Sequence, residues 1–295
     1  MAVLSLYQNE TTEKAKVRLY FGFFDALPVR GNKWFKLKYN LEKMRSGGYS
    51  ALLTFGGAYS NHLFAASEAG KIYDFRTVGV VRGERVEPLN EVLSACEENG
   101  MSLHFVSRTD YRKKNEPAFL EALRKKFGNV FILPEGGSNA EALRGTIEIY
   151  DYFGGDFDYV CLSAGTGGTA AGLALSAAQK KFKTEVFSSL KNGSFLLEEI
   201  ESLQQKFTEK YSELSLDLNK AKPNLHTQFD FGGYAKCNAE LMQFIETIRT
   251  ETGLKLDKIY TAKMFYGVLR LLREGYFAEN AKILVLLTRG DERLS

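Results

Sequence analysis

Three short stretches of this 295-residue chain could hold a negatively charged ligand. They are Phe55-Gly56-Gly57-Ala58-Tyr59-Ser60-Asn61-His62, Pro134-Glu135-Gly136-Gly137-Ser138-Asn139 and Ser163-Ala164-Gly165-Thr166-Gly167-Gly168-Thr169. Each follows an apolar, strand-like run and leads into a helical one. Such a turn leaves backbone N–H groups free at a helix N-terminus, where the helix dipole also favours negative charge. Glycine permits the tight turn and removes side chains that would block the ligand. In an open α/β sheet, ligands gather at the carboxyl ends of strands, where these turns fall. One such turn is weak evidence, since Ser60 or Ser138 would serve equally as a helix cap. Three in one chain favour an anion-bearing ligand.

The third stretch also fits a dinucleotide pattern. Gly165, Gly167 and Ala170 follow G-x-G-x-x-A, and Glu185 lies about twenty residues on. That acid should close the second strand, whereas Glu185 opens one, ahead of Val186-Phe187, so a nicotinamide cofactor is the minor rival. A Walker loop is excluded, because no glycine-lysine-serine/threonine follows at the required spacing. A further candidate is Lys36, in Gly31-Asn32-Lys33-Trp34-Phe35-Lys36-Leu37-Lys38-Tyr39. On a helix starting near Lys33 it points inward with Tyr39 and Asn40, amid apolar neighbours. A lysine lodged among aromatics loses some of its preference for charge and becomes a better nucleophile. The alternative is a lysine whose stem covers apolar surface while its amine reaches water. Cys96, Cys161 and Cys237 show no paired spacing and read as free thiols in a reducing cytoplasm, with no metal role.

These residues need elements to position them, and the pattern supplies them. Strand-like runs at Ala51–Phe55, Thr77–Val81, Ser102–Val106, Val130–Leu133, Tyr159–Ser163, Glu185–Ser188 and Ile283–Leu287 alternate with helical segments. The helical segments are Lys36–Arg45, Ser60–Ala69, Asn90–Asn99, Pro117–Lys126, Ser138–Tyr152, Thr169–Lys180, Phe195–Tyr211, Ala239–Thr252 and Tyr266–Glu274. Alternation of this kind predicts an α/β fold with a mostly parallel sheet. The length predicts about two domains, with a boundary near residue 150 at the turn-like DYFGGDFD. With 27 glycines against 5 prolines, 44% hydrophobic and 25% charged residues, the chain is globular rather than collagenous or low-complexity. Basic residues number 39 and acidic ones 36. That near balance gives no electrostatic case for nucleic acid or an anionic membrane. No run of about 18 apolar residues offers a membrane span.

Taken together, the motifs resemble the 1-aminocyclopropane-1-carboxylate deaminase and D-cysteine desulfhydrase family of pyridoxal-phosphate (PLP) enzymes, on the tryptophan-synthase-β type of fold. The matches run in family order along nearly the whole chain. GNKWFKLKY is similar to the family's G-N-K-x-R-K-L-E-Y, GGAYSNH to G-x-x-Q-S-N-H, and PEGGSNAEALRG to P-x-G-G-S-N-x-x-G-x-x-G. SAGTGGTAAGL resembles the phosphate loop, Gly233-Tyr234-Ala235 the G-Y-G tyrosine, Lys258–Lys263 the P-V-Y-T-G-K run, and Leu287-Thr288-Arg289-Gly290 the H-T-G-G.

The resemblance implies two three-layer α/β/α domains. A large one combines residues 1–46 with 150–295, a small one spans 47–149, and PLP lies in the cleft between them. It implies that Lys36 carries the cofactor and moves protons, and that Gly165, Thr166, Gly167, Gly168 and Thr169 hold the phosphate. Asn61 would meet the phenolic oxygen and Thr288 the pyridine nitrogen. Ser60, with Tyr59, Asn61 and His62, would take the substrate, while Tyr234 and Tyr260 act as acid, base or positioning groups. The implied reaction is α,β-elimination from D-cysteine or a related D-amino acid, giving pyruvate, ammonia and sulfide. Cyclopropane ring opening to 2-oxobutanoate is the alternative, and Thr288 favours the first, since the ring-opening enzymes tend to carry leucine there. A PLP-binding protein without robust catalysis is a third reading, because Phe35, Lys38, Tyr59 and Arg289 depart from the motifs. Phe35 and Tyr59 are expected to narrow the pocket. A homodimer is implied as well.

Overall fold

The computed structural model describes residues 2–289. Met1 and residues 290–295 lie outside it, Gly290 of the last motif included. Among the described residues, ten strands form two sheets. The strands are β1 (Val3–Tyr7), β2 (Arg18–Phe23), β3 (Ala51–Gly56), β4 (Arg76–Arg82), β5 (Met101–Val106), β6 (Val130–Leu133), β7 (Tyr159–Ala164), β8 (Lys183–Ser188), β9 (Asn224–His226) and β10 (Lys282–Leu287). One sheet runs β1-β2-β10-β7-β8-β9 and the other β5-β4-β3-β6. Every pairing is parallel except β1 with β2.

Both sheets carry packed layers on both faces. Along β10, Leu284 and Leu286 join one core with Val160, Leu162, Leu173 and Phe207. Ile283, Val285 and Leu287 join another with Phe21, Phe265 and Ile248. This is the period-two alternation of a strand buried on both sides. In the second sheet, Leu52 and Leu133 pack on one side with Leu63 and Leu93, while Leu53, Phe55 and Val80 pack on the other with Leu123. The architecture is therefore α/β with two helix–sheet–helix sandwiches.

The Lys33–Ser46 helix belongs to both cores. Its Phe35 packs in the core of the six-stranded sheet, and its Leu37, Leu41 and Met44 in that of the four-stranded one. Gly145 of the Ala140–Thr146 helix crosses it so closely that a Cβ there would lie 1.8 Å from the Phe35 carbonyl oxygen. The amides of Asn40 and Asn139 bond reciprocally, at 3.1 and 2.7 Å, and lock the crossing from one side.

Three strands, β1, β2 and β9, were not anticipated. β1 exposes Leu4 and Leu6, so its apolar residues do not alternate inward. β9 has only three residues. The single helix expected over Ser138–Tyr152 is two, Ala140–Thr146 and Ile149–Tyr152. The helix expected from Tyr266 begins at Thr261, because the Asp257 carboxylate accepts from the backbone N–H groups of Ile259, Tyr260 and Thr261.

Candidate active site

The glycine turns converge on a cavity of about 660 Å³ between the two sheets. β7 ends at Ala164, and the next residues turn into the 13-residue Gly168–Lys180 helix through Gly167 at φ 71°. The first residues of that helix, Gly168, Thr169 and Ala170, line the cavity together with Gly165, Thr166 and Gly167. A Cβ on Gly168 would lie 2.5 Å from Ser138 Oγ and 2.8 Å from Lys36 Nζ. A Cβ on Gly136 would meet Thr166 Oγ1 at 2.4 Å. Helix dipole, hydroxyls and a lysine amine thus form a tight cup for a phosphate.

Which serine caps which helix is settled by geometry. Ser60 Oγ accepts from Leu63 N–H at 3.2 Å and caps the Asn61–Tyr73 helix. Ser138 caps nothing. Asn139 takes that role, its Oδ1 accepting from Ala142 N–H at 2.9 Å, which leaves Ser138 Oγ to accept from Lys36 Nζ at 2.9 Å and to bond Thr166 Oγ1 at 2.8 Å.

Lys33 and Lys36 project from one helix face, at i and i+3, into the same cavity. Lys36, 1% exposed, ends inside the phosphate cup, where burial first and Lys33 second push its pKa well below that of a free lysine. Lys33 Nζ donates to Asn32 Oδ1 at 3.3 Å, and burial brings its pKa down to about 8. Asn32 is fixed at both ends, its Nδ2 donating to Thr169 Oγ1 at 3.1 Å and its N–H to the Thr288 carbonyl at 3.1 Å. Sequence reasoning passed over Lys33, although the i,i+3 spacing was readable.

Two tyrosines also line the cavity. Tyr234 and Tyr260 meet edge to face, with centroids 6.1 Å apart and planes at 68°. Burial raises both pKa values, and the hydroxyl of Tyr260 lies 3.3 Å from a Cβ built on Gly165. Both phenols are therefore neutral donors at ordinary pH. Ser60, Asn61, His62 and Thr288 line the cavity too. His62 is held by Thr54 Oγ1, 2.8 Å from its Nε2. The Thr54 hydroxyl donates in turn to the Leu133 carbonyl, so the ring nitrogen on this side is the N–H. Burial, then Lys36 and Lys33, keep His62 neutral by driving its pKa well down. Arg82, at the end of β4, also lines the cavity and reaches the Gly57 turn, with NH2 3.4 Å from a Cβ built there. It places a cation beside the Ser60 helix start, another residue sequence reasoning missed.

The departures from the motifs lie largely elsewhere. Tyr59 is 46% exposed and stands outside the cavity lining, so it takes no part in the pocket. Phe35 packs edge to face on Phe24 and Tyr152 in the core, and Lys38 pairs with Glu148. Neither Phe35 nor Tyr59 narrows the cavity, contrary to expectation. Glu185, needed by the nicotinamide rival, is fully buried in β8 and engaged by Asn224, His226 and Tyr276 at 2.8, 2.8 and 3.0 Å. It has no freedom to bind a ribose. Among the described residues no group of three or more His, Cys, Asp or Glu could hold a metal, and no helix is long and apolar enough to cross a membrane.

Comparison with known proteins agrees with this geometry. The model of the family described as "Pyridoxal-phosphate dependent enzyme" matches residues 6–289. A Pyrococcus horikoshii protein named "Putative 1-aminocyclopropane-1-carboxylate deaminase" is 28% identical over 90% of this chain and 81% of its own length. The Arabidopsis thaliana "Bifunctional D-cysteine desulfhydrase/1-aminocyclopropane-1-carboxylate deaminase, mitochondrial" is 25% identical over 90% of this chain and 70% of its own. A solved ACC deaminase homologue superposes with a TM-score of 0.85 at 25% identity, covering 99% of this chain and 90% of its own. A hydrogen sulfide-producing enzyme from Fusobacterium nucleatum shares the fold, with a TM-score of 0.68 at 17% identity, covering 99% and 96%. The family match over residues 6–289, with a cup and two lysine amines that fit its cofactor, assigns the chain to the pyridoxal-phosphate-dependent enzymes.

Proposed function

We propose that the protein converts D-cysteine and water to pyruvate, ammonia and sulfide, by elimination at a small amino acid. The observation that carries the reading is the meeting, in one cavity, of the buried Lys36 and the partly buried Lys33, two neutral tyrosine hydroxyls and the Ser60 helix start. PLP supplies the electron sink that acidifies the substrate's Cα–H bond. The chain's own residues do the rest. Gly165 to Thr169, with Ser138 and Lys36, hold the phosphate. Lys33, in place of the Lys36 of the resemblance, would hold the cofactor through its aldehyde carbon and would carry the Cα proton. Asn61 would meet the phenolic oxygen, Thr288 the ring nitrogen, and Ser60 with Arg82 the substrate carboxylate. Tyr234 and Tyr260 donate to the leaving group. A hydroxyl at Thr288 does not enforce a protonated ring, which suits elimination better than aminotransfer, and threonine in place of the leucine of the ring-opening enzymes favours sulfide release. The proposal includes the division into 1–46 plus 150–295 and 47–149, a homodimer, and a reducing cytoplasm for the free thiols.

Purified PLP-loaded protein, incubated separately with D-cysteine and with the cyclopropane acid, is expected to give sulfide and pyruvate in equal amounts from the first. Release of 2-oxobutanoate from the second, without sulfide from the first, assigns the ring-opening reaction instead. No product from either leaves a binding protein. A second expectation concerns pH. Only a neutral amine attacks an aldehyde. The rate of covalent PLP uptake by cofactor-free protein should therefore rise through a Lys33 pKa of about 8 and level off above it. A flat rate from pH 6 to 9, followed by absorbance, contradicts the assignment.

A further inference from the structure

The loop that presents Tyr234 is held in an unfavourable backbone conformation. Phe231, Gly232, Gly233 and Ala235 all have positive φ, at 50°, 91°, 105° and 58°. For phenylalanine and alanine this is the left-handed region, which persists only where surrounding structure over-determines it. The surroundings identify what does so. Lys263, 1% exposed, donates from Nζ to the carbonyls of Asp230 and Gly233, both at 2.7 Å. The Asp230 carboxylate accepts from Gly232 N–H at 2.7 Å, and Phe231 packs edge to face on Tyr266, one turn along the helix from Lys263.

The place of this ammonium is costly twice over. It is buried, which lowers its pKa, and it sits in the first turn of the Thr261–Arg273 helix, where the dipole disfavours a cation. A lysine kept there holds something that needs holding. Tyr260 immediately precedes that helix, so one helix start fixes both phenols: Tyr260 through Asp257, and Tyr234 through Lys263.

We propose that Lys263 is a positioning residue, a clasp that sets the Tyr234 hydroxyl against Tyr260 for the proton transfer. The clasp stands on the geometry, and its effect on turnover rests on the proposed role of Tyr234. The test uses the PLP-loaded protein as wild type, Lys263→Met, Tyr234→Phe and the double variant. Methionine keeps the stem and removes the donors. Deuterium exchange of the 230–236 amides, read by mass spectrometry, should speed up about tenfold or more in Lys263→Met, the scale of losing charged hydrogen bonds. Exchange in β10 should not change. Turnover of whichever amino acid is the substrate should show a kcat lowered about tenfold or more with KM nearly unchanged, and the Lys263→Met loss should vanish in the Tyr234→Phe background.

Unchanged exchange at 230–236 overturns the clasp, whatever the activity. Faster exchange combined with independent, multiplying losses in kcat overturns its action through Tyr234. Acceleration throughout the protein, β10 included, shows a general fold defect and also overturns it. A Tyr234→Phe variant with full activity removes the assigned role of Tyr234 alone, while the exchange result still decides on the clasp.

Discussion

Replacing Lys33 with alanine is expected to abolish the yellow absorbance of covalently held PLP and to lower turnover by about three orders of magnitude or more, the scale of losing a positioned acid–base group alone. Replacing Lys36 is expected to act differently. Its amine already lies in the phosphate cup, 2.9 Å from Ser138 Oγ, so Lys36→Ala should weaken PLP binding by about 10- to 100-fold, as for a lost charged hydrogen bond. The colour should return at saturating PLP. The physical argument is a division of labour between two amines on one helix face. A phosphate wants a cation, and its charge would restore the protonated form of Lys36, which burial disfavours in the bare cup. An aldehyde wants a neutral amine, and Lys33, near pKa 8 and bonded to the Asn32 amide oxygen, supplies one. The reverse result, colour lost in Lys36→Ala at every PLP concentration and kept in Lys33→Ala, returns the covalent role to Lys36. Both variants can be compared by absorbance titration before any substrate is added.

That division also marks how far the sequence could be read. The glycine turns were legible because glycine has few other reasons to cluster between an apolar run and a helix. The parallel strands that carry them were legible as continuous apolar runs. The partner of Lys36 was not, because Ser138 comes from a segment 102 residues away. Nor could the chain tell Ser60, which caps its helix, from Ser138, which does not; the difference lies in Asn139 one residue on. The motif departures misled for a related reason. Phe35 and Tyr59 sit beside site residues in sequence, but successive helical residues point about 100° apart, which turns Phe35 into the core, and the turn before Ser60 leaves Tyr59 in solvent. The clasp was least legible of all. Lys263 ends the Lys258–Lys263 motif, ahead of the helix expected from Tyr266, and nothing in the sequence joins it to the loop at 230–235.

Gly145→Ala tests whether the helix crossing beneath the two amines is as tight as it stands. In most helices the exchange of glycine for alanine is worth about 1 kcal/mol in stability. Here the new Cβ would lie 1.8 Å from the Phe35 carbonyl oxygen and 2.9 Å from its carbon. That neighbour is main chain, two residues from Lys33 and adjacent to Lys36, so it cannot swing aside as a side chain would. Either the two helices part by more than an ångström or the fold is lost. A loss of about 3 kcal/mol, the upper end for overpacking, is expected, with a melting temperature lower by about 5 °C. Separation of the helices would also stretch the paired amides of Asn40 and Asn139 and draw Lys36 from Ser138. PLP affinity should therefore fall alongside stability, even at temperatures where the variant remains folded. An unchanged or raised melting temperature would mean that this glycine does not set the crossing. Its place in the PEGGSNAEALRG motif would then need another cause. If both quantities fall together, the motif's last glycine is explained without any contact to ligand: it brings the helix bearing the amines close enough for Lys36 to reach the cup.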